Sequence, residues 1–289
     1  MSFVLMTDSG SDLPLAYAKE HNVHILPLTV TLHGTVYPDD GMSLSLKAFY
    51  DEMRAGAVPT TAMVNPDTYI KCFTPVLEAG KDLLYISLSS GISGSYGGAV
   101  IAAQMLRETF PDRALHVADS LCASMGQGLL VDFCVRMRDE GRSAMETYEW
   151  VEANKLRMSH LVTVEDLVYL RRGGRVSRTS AVLGGLIGIK PIIYVNREGK
   201  LIPDGKVRGR KASLLELVDR MEAYVDEHAC EHMAISHGDC EEDARFVVAE
   251  FEKRHKTGRT IFGQIGPVIG SHSGPGTVAF FALGKIRKE

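Results

Sequence analysis

The chain has 289 residues, 45% apolar and 24% charged, with a formal net charge of −4 at pH 7. That length asks for one large or two medium α/β domains, and nothing in the mildly acidic balance argues for nucleic acid or an anionic membrane face as the main partner. No basic-plus-apolar leader opens the chain, and the longest strongly apolar stretch, Ala181–Val195, is broken by Lys190 and Pro191 before it reaches the length of a membrane span. The expectation is a soluble, cytoplasmic protein.

In chain order, Phe3–Thr7 reads as a short strand that runs into the turn formers Asp8-Ser9-Gly10-Ser11-Asp12. Pro14–His21 follows as a helix, with Asp12 or Leu13 near its cap. Val23–Leu32 reads as one strand; Ser43–Met53 and Pro66–Ala79 carry helical spacing, the second capped by Asn65. Leu83–Leu88 is a buried strand, Ser89–Gly94 a turn and Tyr96–Thr109 a helix. Ala114–Ala118 is a strand, and Cys122–Asp139 and Ala144–Asn154 are helices. Strand and helix alternating at this spacing predict a parallel, helix-flanked sheet.

The pattern changes near residue 156. Leu161–Val164 reads as a strand, Glu165–Arg171 as a short helix, and Thr179–Gly188 is apolar but rich in small residues. Ile189–Val195 and Lys200–Arg208 flank the turn Asn196–Gly199 and predict a hairpin. Leu214–His228 and Glu241–Lys256 read as amphipathic helices, and His232–Ser236, Arg259–Gln264 and Val278–Leu283 as strands. The fold class is therefore α/β with two domains, a parallel-sheet α/β domain over residues 1–156 and an α+β domain over 157–289.

Five cysteines, Cys72, Cys122, Cys134, Cys230 and Cys240, form no C-x-x-C pair and read as reduced, packed thiols. The turn Ser89–Tyr96 follows a strand and opens a helix, where hydroxyls and approachable backbone N–H groups suit a phosphate or a carboxylate. A well-capped helix without ligand is the plainer alternative. Pro59–Ala62 reads as a hydroxyl-bearing loop. Leu170–Ser177 joins a Gly-Gly pair to arginines that can hold an anion, or simply form a solvated turn. Gly270–Gly276 reads as a rigid small-residue loop carrying His272. Metal binding fits poorly: His228, His232 and His237 straddle a helix end and a strand, while capping explains Asp8, Asp12 and Asp119. There is no G-x-x-x-x-G-K-[ST] and no G-x-G-x-x-G.

Taken in order, Thr7–Pro14, Pro59-Thr60-Thr61, Leu88–Tyr96, Asp119-Ser120, Leu167–Ser177, Ile189-Lys190-Pro191 and His272–Gly276 resemble the DegV family along nearly the whole chain. Where family members usually read Thr-Ser-Gln, this chain has Thr61-Ala62-Met63 and lacks a hydroxyl and an amide. The resemblance implies a bacterial, FakB-type carrier that is not itself an enzyme. Such a carrier buries one long-chain fatty acid between its domains and presents it to a fatty acid kinase, feeding phospholipid metabolism. It further implies Thr61, Ser93 and His272 as carboxylate ligands, Arg175 as a supporting charge, and Lys206, Arg208 and Arg210 in a basic stretch facing the kinase or, transiently, a membrane surface. No cofactor or metal is expected beyond the fatty acid. The stretch Ala181–Ile189 suits one wall of the acyl tunnel, with Leu183, Leu186, Ile187 and Ile189 as its branched side chains and glycines leaving room beside them. Met63, Met125 and Met158 read as core with some adaptable packing.

Two other readings stay open on the residues alone. A serine hydrolase or acyltransferase would use Ser93 as nucleophile and His272 as base, although Gly91–Ser95 puts serine at the wrong place for the G-x-S-x-G elbow. A regulatory domain would bind phosphate or nucleotide on the Ser89–Ser95 turn.

Overall fold

A computed structural model describes residues 3–176, 188–225 and 229–289. The first half runs β1 (Val4–Asp8), α1 (Leu15–Glu20), β2 (Val23–Leu26), β3 (Thr29–Leu32), β4 (Thr35–Pro38), α2 (Leu46–Arg54), β5 (Thr60–Ala62), α3 (Pro66–Glu78), β6 (Leu83–Ser87), α4 (Ser95–Thr109), β7 (Leu115–Asp119), α5 (Met125–Asp139) and α6 (Ala144–Asn154). The second half runs β8 (Met158–Thr163), α7 (Val168–Arg172), β9 (Ile189–Val195), β10 (Leu201–Arg208), α8 (Arg210–Glu222), β11 (His232–His237), α9 (Glu241–Glu252), β12 (Arg259–Gln264), α10 (Pro267–Ser273) and β13 (Val278–Leu283).

Strands β2-β1-β6-β7 form a parallel sheet in that order, and β10-β9-β8-β13-β11-β12 form a mixed sheet. Alternation along each strand decides what covers each face. In the parallel sheet Met6, Leu83 and Tyr85 point to Tyr69 and Phe73 of α3 and Ala99 and Ala102 of α4. Leu5, Leu84 and Ile86 point the other way, to Leu129 and Leu130 of α5. In the mixed sheet Leu161, Ile192 and Phe280 pack under Leu217 of α8 and Val247 of α9. Its opposite face, with Val162, Ile193, Ala279 and Phe281, joins the same cluster as α5. Helix α5 is thus shared by both sheets, and it is buried almost all round because both of its sides are apolar contacts.

Five expectations change. The stretch Val23–Leu32 is two strands: Pro27 has no N–H to continue the ladder, so β2 stays in the parallel sheet and β3 leaves to form a small antiparallel sheet, β4-β3-β5. The loop Pro59–Ala62 contains β5, paired with β3 through Val30 and Thr61. The loop Gly270–Gly276 contains the end of helix α10, which closes at Gly274 with φ 82°. Glycine and serine are poor helix formers; here Pro267 starts the turn and the packing of Gly270 against Phe49 and Tyr50 holds it. Asp12 does not cap α1. It sits at φ 50° and directs its carboxylate to the second half of the chain. Helix α8 starts and ends earlier than expected, and His228 lies outside the described residues.

Seam contacts bind the halves. The hydroxyl of Tyr50 donates to the Ile265 carbonyl at 2.8 Å, and that of Ser89 donates to Gly199 at 2.9 Å. Ser124 and Ser236 pair at 2.8 Å, and Arg54 meets Asp239 at 2.5 Å. Cys72, Cys122, Cys134 and Cys240 are free, Cys122 and Cys134 fully packed, and burial pushes the Cys122 thiol up to about 12. Among the described residues no helix is long and apolar enough to cross a membrane.

The tip of the β9–β10 hairpin seats directly on the turn after β6. A methyl on Gly91 would lie 2.4 Å from the Glu198 carbonyl oxygen and 2.8 Å from that of Gly199. Gly91→Ala is expected to cost about 1–3 kcal/mol of stability by overpacking, read as a lower urea midpoint; an unchanged midpoint would show that this seat is loose.

Candidate ligand-binding site

A cavity of about 430 Å³ lies between the two sheets. Its buried wall is mostly apolar, with Leu28 and Leu88 from the first half and Val162, Ile193, Val268 and Phe281 from the second. The half-buried residues at its rim include Thr61, Ser93, Arg175 and His272. Each reaches the rim from a different element. Thr61 projects from β5, Ser93 from the turn between β6 and α4, Arg175 from the turn after α7, and His272 from the last turn of α10.

These side chains are tied to one another or to the backbone. The Thr61 hydroxyl and His272 Nε2 are 2.8 Å apart. The Ser93 hydroxyl donates to Ser95 Oγ at 3.0 Å and accepts the Ser95 N–H at 3.2 Å. Arg175 donates from Nε to the Ile92 carbonyl at 3.0 Å and from Nη1 to the Gly173 carbonyl, which fixes its guanidinium beside the Ser93 turn. Gly173 is needed here: a Cβ would sit 2.1 Å from His272 Nδ1. That Nδ1 is buried and has no hydrogen-bond partner among the described residues. Burial, and then the nearby Arg175 cation, push the His272 imidazole down to about 4, so the ring is neutral at pH 7. Desolvation also lowers Arg175. A guanidinium, hydroxyls and a neutral imidazole around an apolar hole form a donor set for one anionic group.

The same geometry limits other chemistries. In the Ser89–Ser95 turn, Asp119 accepts the Ser90 N–H at 3.1 Å, Ser89 Oγ accepts that of Gly91, and the Ser89 carbonyl accepts those of Ile92 and Ser93. The amides that would cradle a phosphate are thus already paired, and a carboxylate sits among them. A Ser–His relay is not assembled, since Ser93 bonds Ser95, His272 bonds Thr61, and no carboxylate bonds His272 among the described residues. No cluster able to hold a metal occurs among the described residues. Asp8 instead receives the Gly10 and Leu88 N–H groups, His232 meets Arg136, and His237 receives the Cys240 N–H.

Other proposed positions separate. Ile189 opens β9 half-buried and is not among the cavity-lining residues; Ile193 and Val195 further along the strand are. Leu183, Leu186 and Ile187 lie outside the described residues. Lys206 and Arg208 are exposed on β10. Arg210 is held by Asp243 at 2.7 Å, by the Gly276 carbonyl at 2.6 Å and by Glu165, so it acts within the fold. Met125 and Met158 are core, but Met63 is 62% exposed and lies against Gly94 at the rim. One lining residue had no signal in the sequence: His160, a lone histidine within an apolar strand. It is buried, bonded through Nδ1 to the Met158 carbonyl at 2.9 Å, set edge-on to Phe281, and pushed by burial down to about 3.

Comparison with known proteins places this geometry. The family model described as "Uncharacterised protein, DegV family" matches residues 2–285. A DegV domain-containing protein of Clostridium perfringens is 38% identical over 287 residues, covering 99% of each chain. A DegV family protein of Thermus thermophilus, solved for its fatty acid binding, superposes with a TM-score of 0.88 at 28% identity over 99% of this chain and 100% of the other. The fatty acid kinase B3 protein of Streptococcus pneumoniae, loaded with linoleic acid, shares the fold with a TM-score of 0.86 at 23% identity, over 99% and 100% of the two chains.

In the unliganded protein, ¹³C NMR titration of the histidine rings is expected to leave His272 and His160 unchanged between about pH 5.5 and 8, with His272 titrating near 4. A midpoint near 6.5 for the resonance lost in His272→Gln would contradict the dry, cation-flanked setting described above.

Proposed function

The chain belongs to the DegV family, and from that premise we propose that it binds one long-chain fatty acid in the cavity between its sheets. The carboxylate lies at the rim among Thr61, Ser93, His272 and Arg175, and the acyl tail runs along the apolar wall. The observation that carries this reading is the convergence of those four residues, from distant parts of the sequence, on the edge of a single apolar cavity.

The energetics support the division of labour. Burying about 16 carbons at roughly 0.8 kcal/mol per methylene gives about 12 kcal/mol gross, from which ordering costs subtract a large part. The tail supplies affinity. A carboxylate leaving water needs donors, and each charge-assisted bond adds about 1.5–3 kcal/mol and fixes which end stays at the rim. An anion at the rim also reverses the electrostatics of His272, which in the empty cavity faces only the Arg175 cation. Residues 1–156 and 157–289 act as the two lobes that enclose the ligand.

With its acid group at a half-open edge, the protein is a carrier in the bacterial cytoplasm that presents the fatty acid to a kinase for acyl-phosphate formation. Exposed Lys206 and Arg208 offer a basic surface to that kinase or, transiently, to a membrane. The kinase brings the nucleotide and the catalytic groups. The Ser93 turn and His272 serve here as ligands for the carboxylate, in keeping with the absence of an assembled Ser–His relay among the described residues.

Protein purified from a bacterial host is expected to release close to one fatty acid per chain on denaturing extraction, counted by mass spectrometry; repeated extracts without acyl chains would overturn the reading. Ser93→Ala and His272→Ala should each lower acyl-phosphate formation with a cognate kinase by about 10- to 100-fold, the equivalent of one such bond, with little change in unfolding midpoint. Wild-type turnover by both variants would remove these residues from the head-group site.

A further inference from the structure

We infer that Asp12 and Asp39 are positioning residues, two carboxylates from the first half of the chain that hold the helix carrying His272 in the register at which its imidazole meets Thr61 and the ligand. The inference rests on His272 being a head-group ligand, and it concerns how that ligand is placed.

Helix α10 is seven residues long and contains Gly270, Ser271 and Ser273, so its own propensity cannot fix where it starts or how it is turned. A slip of one residue would rotate His272 by about 100° away from Thr61. The contacts at its leading end come from the other half. Asp12 Oδ1 accepts the Gly266 N–H at 2.8 Å, and Asp39 Oδ2 accepts the Val268 N–H at 3.4 Å. The second oxygen of Asp12 takes the Ser124 hydroxyl, which is in turn bonded to Ser236 at 2.8 Å. Both carboxylates close on the same glycine: a Cβ on Gly266 would lie 3.0 Å from Asp39 Oδ1 and 3.2 Å from Asp12 Oδ1. Further along, Gly270 rests on the Tyr50 hydroxyl, with 2.6 Å between that oxygen and a would-be Cβ.

The charged and titratable groups facing the pair are Asp8, Asp40 and the phenol of Tyr50, all of them acidic, beside the neutral hydroxyls of Ser9 and Ser124. Burial first, then these like charges, push Asp39 up to about 6 and Asp12 well above the usual carboxylate range. An acid raised in the folded state binds more protons there than in the unfolded chain. The contribution of Asp39 to stability is therefore greatest at low pH and falls as pH rises from about 4 through 6. At neutral pH the ionised Asp39 burdens the fold, and a neutral isostere relieves that burden while weakening the grip on α10. Loss of a merely structural contact would instead lower stability.

The test uses the full chain with Asp12→Asn, Asp39→Asn and Gly266→Ala, the last of which keeps both charges but displaces them at a backbone conformation that alanine adopts freely. Three quantities are measured: the urea midpoint at pH 7.5, the ¹³C resonance of His272 in unliganded protein, and the release rate of radiolabelled palmitate. The Asn variants are expected to unfold at the wild-type midpoint or above it, to shift the His272 resonance, and to release palmitate at least about tenfold faster; Gly266→Ala should shift the resonance and speed release as well. A wild-type His272 resonance in folded Asp39→Asn and Gly266→Ala would overturn the inference, as would lower midpoints in the Asn variants with no shift in that resonance. Should Asp12→Asn fail to fold, the other two variants decide. If the wild-type chain binds no palmitate, the fatty acid reading fails, while the resonance still reports whether the two acids place His272.

Discussion

A carboxylate can enter an apolar cavity only if hydrogen-bond donors replace its water, because an unpaired buried charge costs far more than a buried tail returns. On the proposed reading, that constraint orders the structure around the rim. Donors must be gathered at one edge, and the remainder of the hole must stay dry. No single supersecondary unit here provides the donor set. Thr61 comes from a small antiparallel sheet, Ser93 from the end of a parallel strand, Arg175 from a glycine turn and His272 from a short helix.

Bringing them together depends on α5. This helix lies in one hydrophobic cluster with strands of both sheets, so the halves are fixed face to face by apolar burial before any polar contact is considered. Around that shared core the polar seam sets finer positions. Thr61 and His272, 211 residues apart, meet at 2.8 Å, and the Asp12–Gly266 bond spans 254 residues. Glycines at 91 and 173 let backbone approach backbone or ring at distances no Cβ allows, and Gly266 lies close against two carboxylates. The price of this arrangement is a set of buried polar groups, among them Asp8, Asp12, Asp39 and His160, held by networks that rigidify the seam.

Local pattern carried most of the secondary structure. Ala144–Asn154, Ile189–Val195, Arg259–Gln264 and Val278–Leu283 stand where periodicity puts them, because each has a strong face or a capping signal such as the Ser143–Glu146 box. The misreadings cluster at the site. Strand β5 and helix α10 are short, rich in Thr, Gly and Ser, and stabilised by partners far along the chain, which is where tertiary packing overrides propensity. His160 was invisible for the same reason, since nothing around it in sequence marks that its ring faces a cavity.

The residues themselves determined the alternation of strand and helix, the change of pattern near residue 156, the lack of a C-x-x-C pair and the ordered motifs that mark a DegV chain. These are properties of spacing and side-chain type, readable within windows of a few turns. Tertiary structure alone decided that Thr61, Ser93, Arg175 and His272 share one rim, that Arg210 is tied into the fold by Asp243 and Glu165, and that Asp12 reaches across the seam instead of capping its own helix. Such placements depend on how two sheets pack against one helix, and packing is a relation between segments that no local window contains.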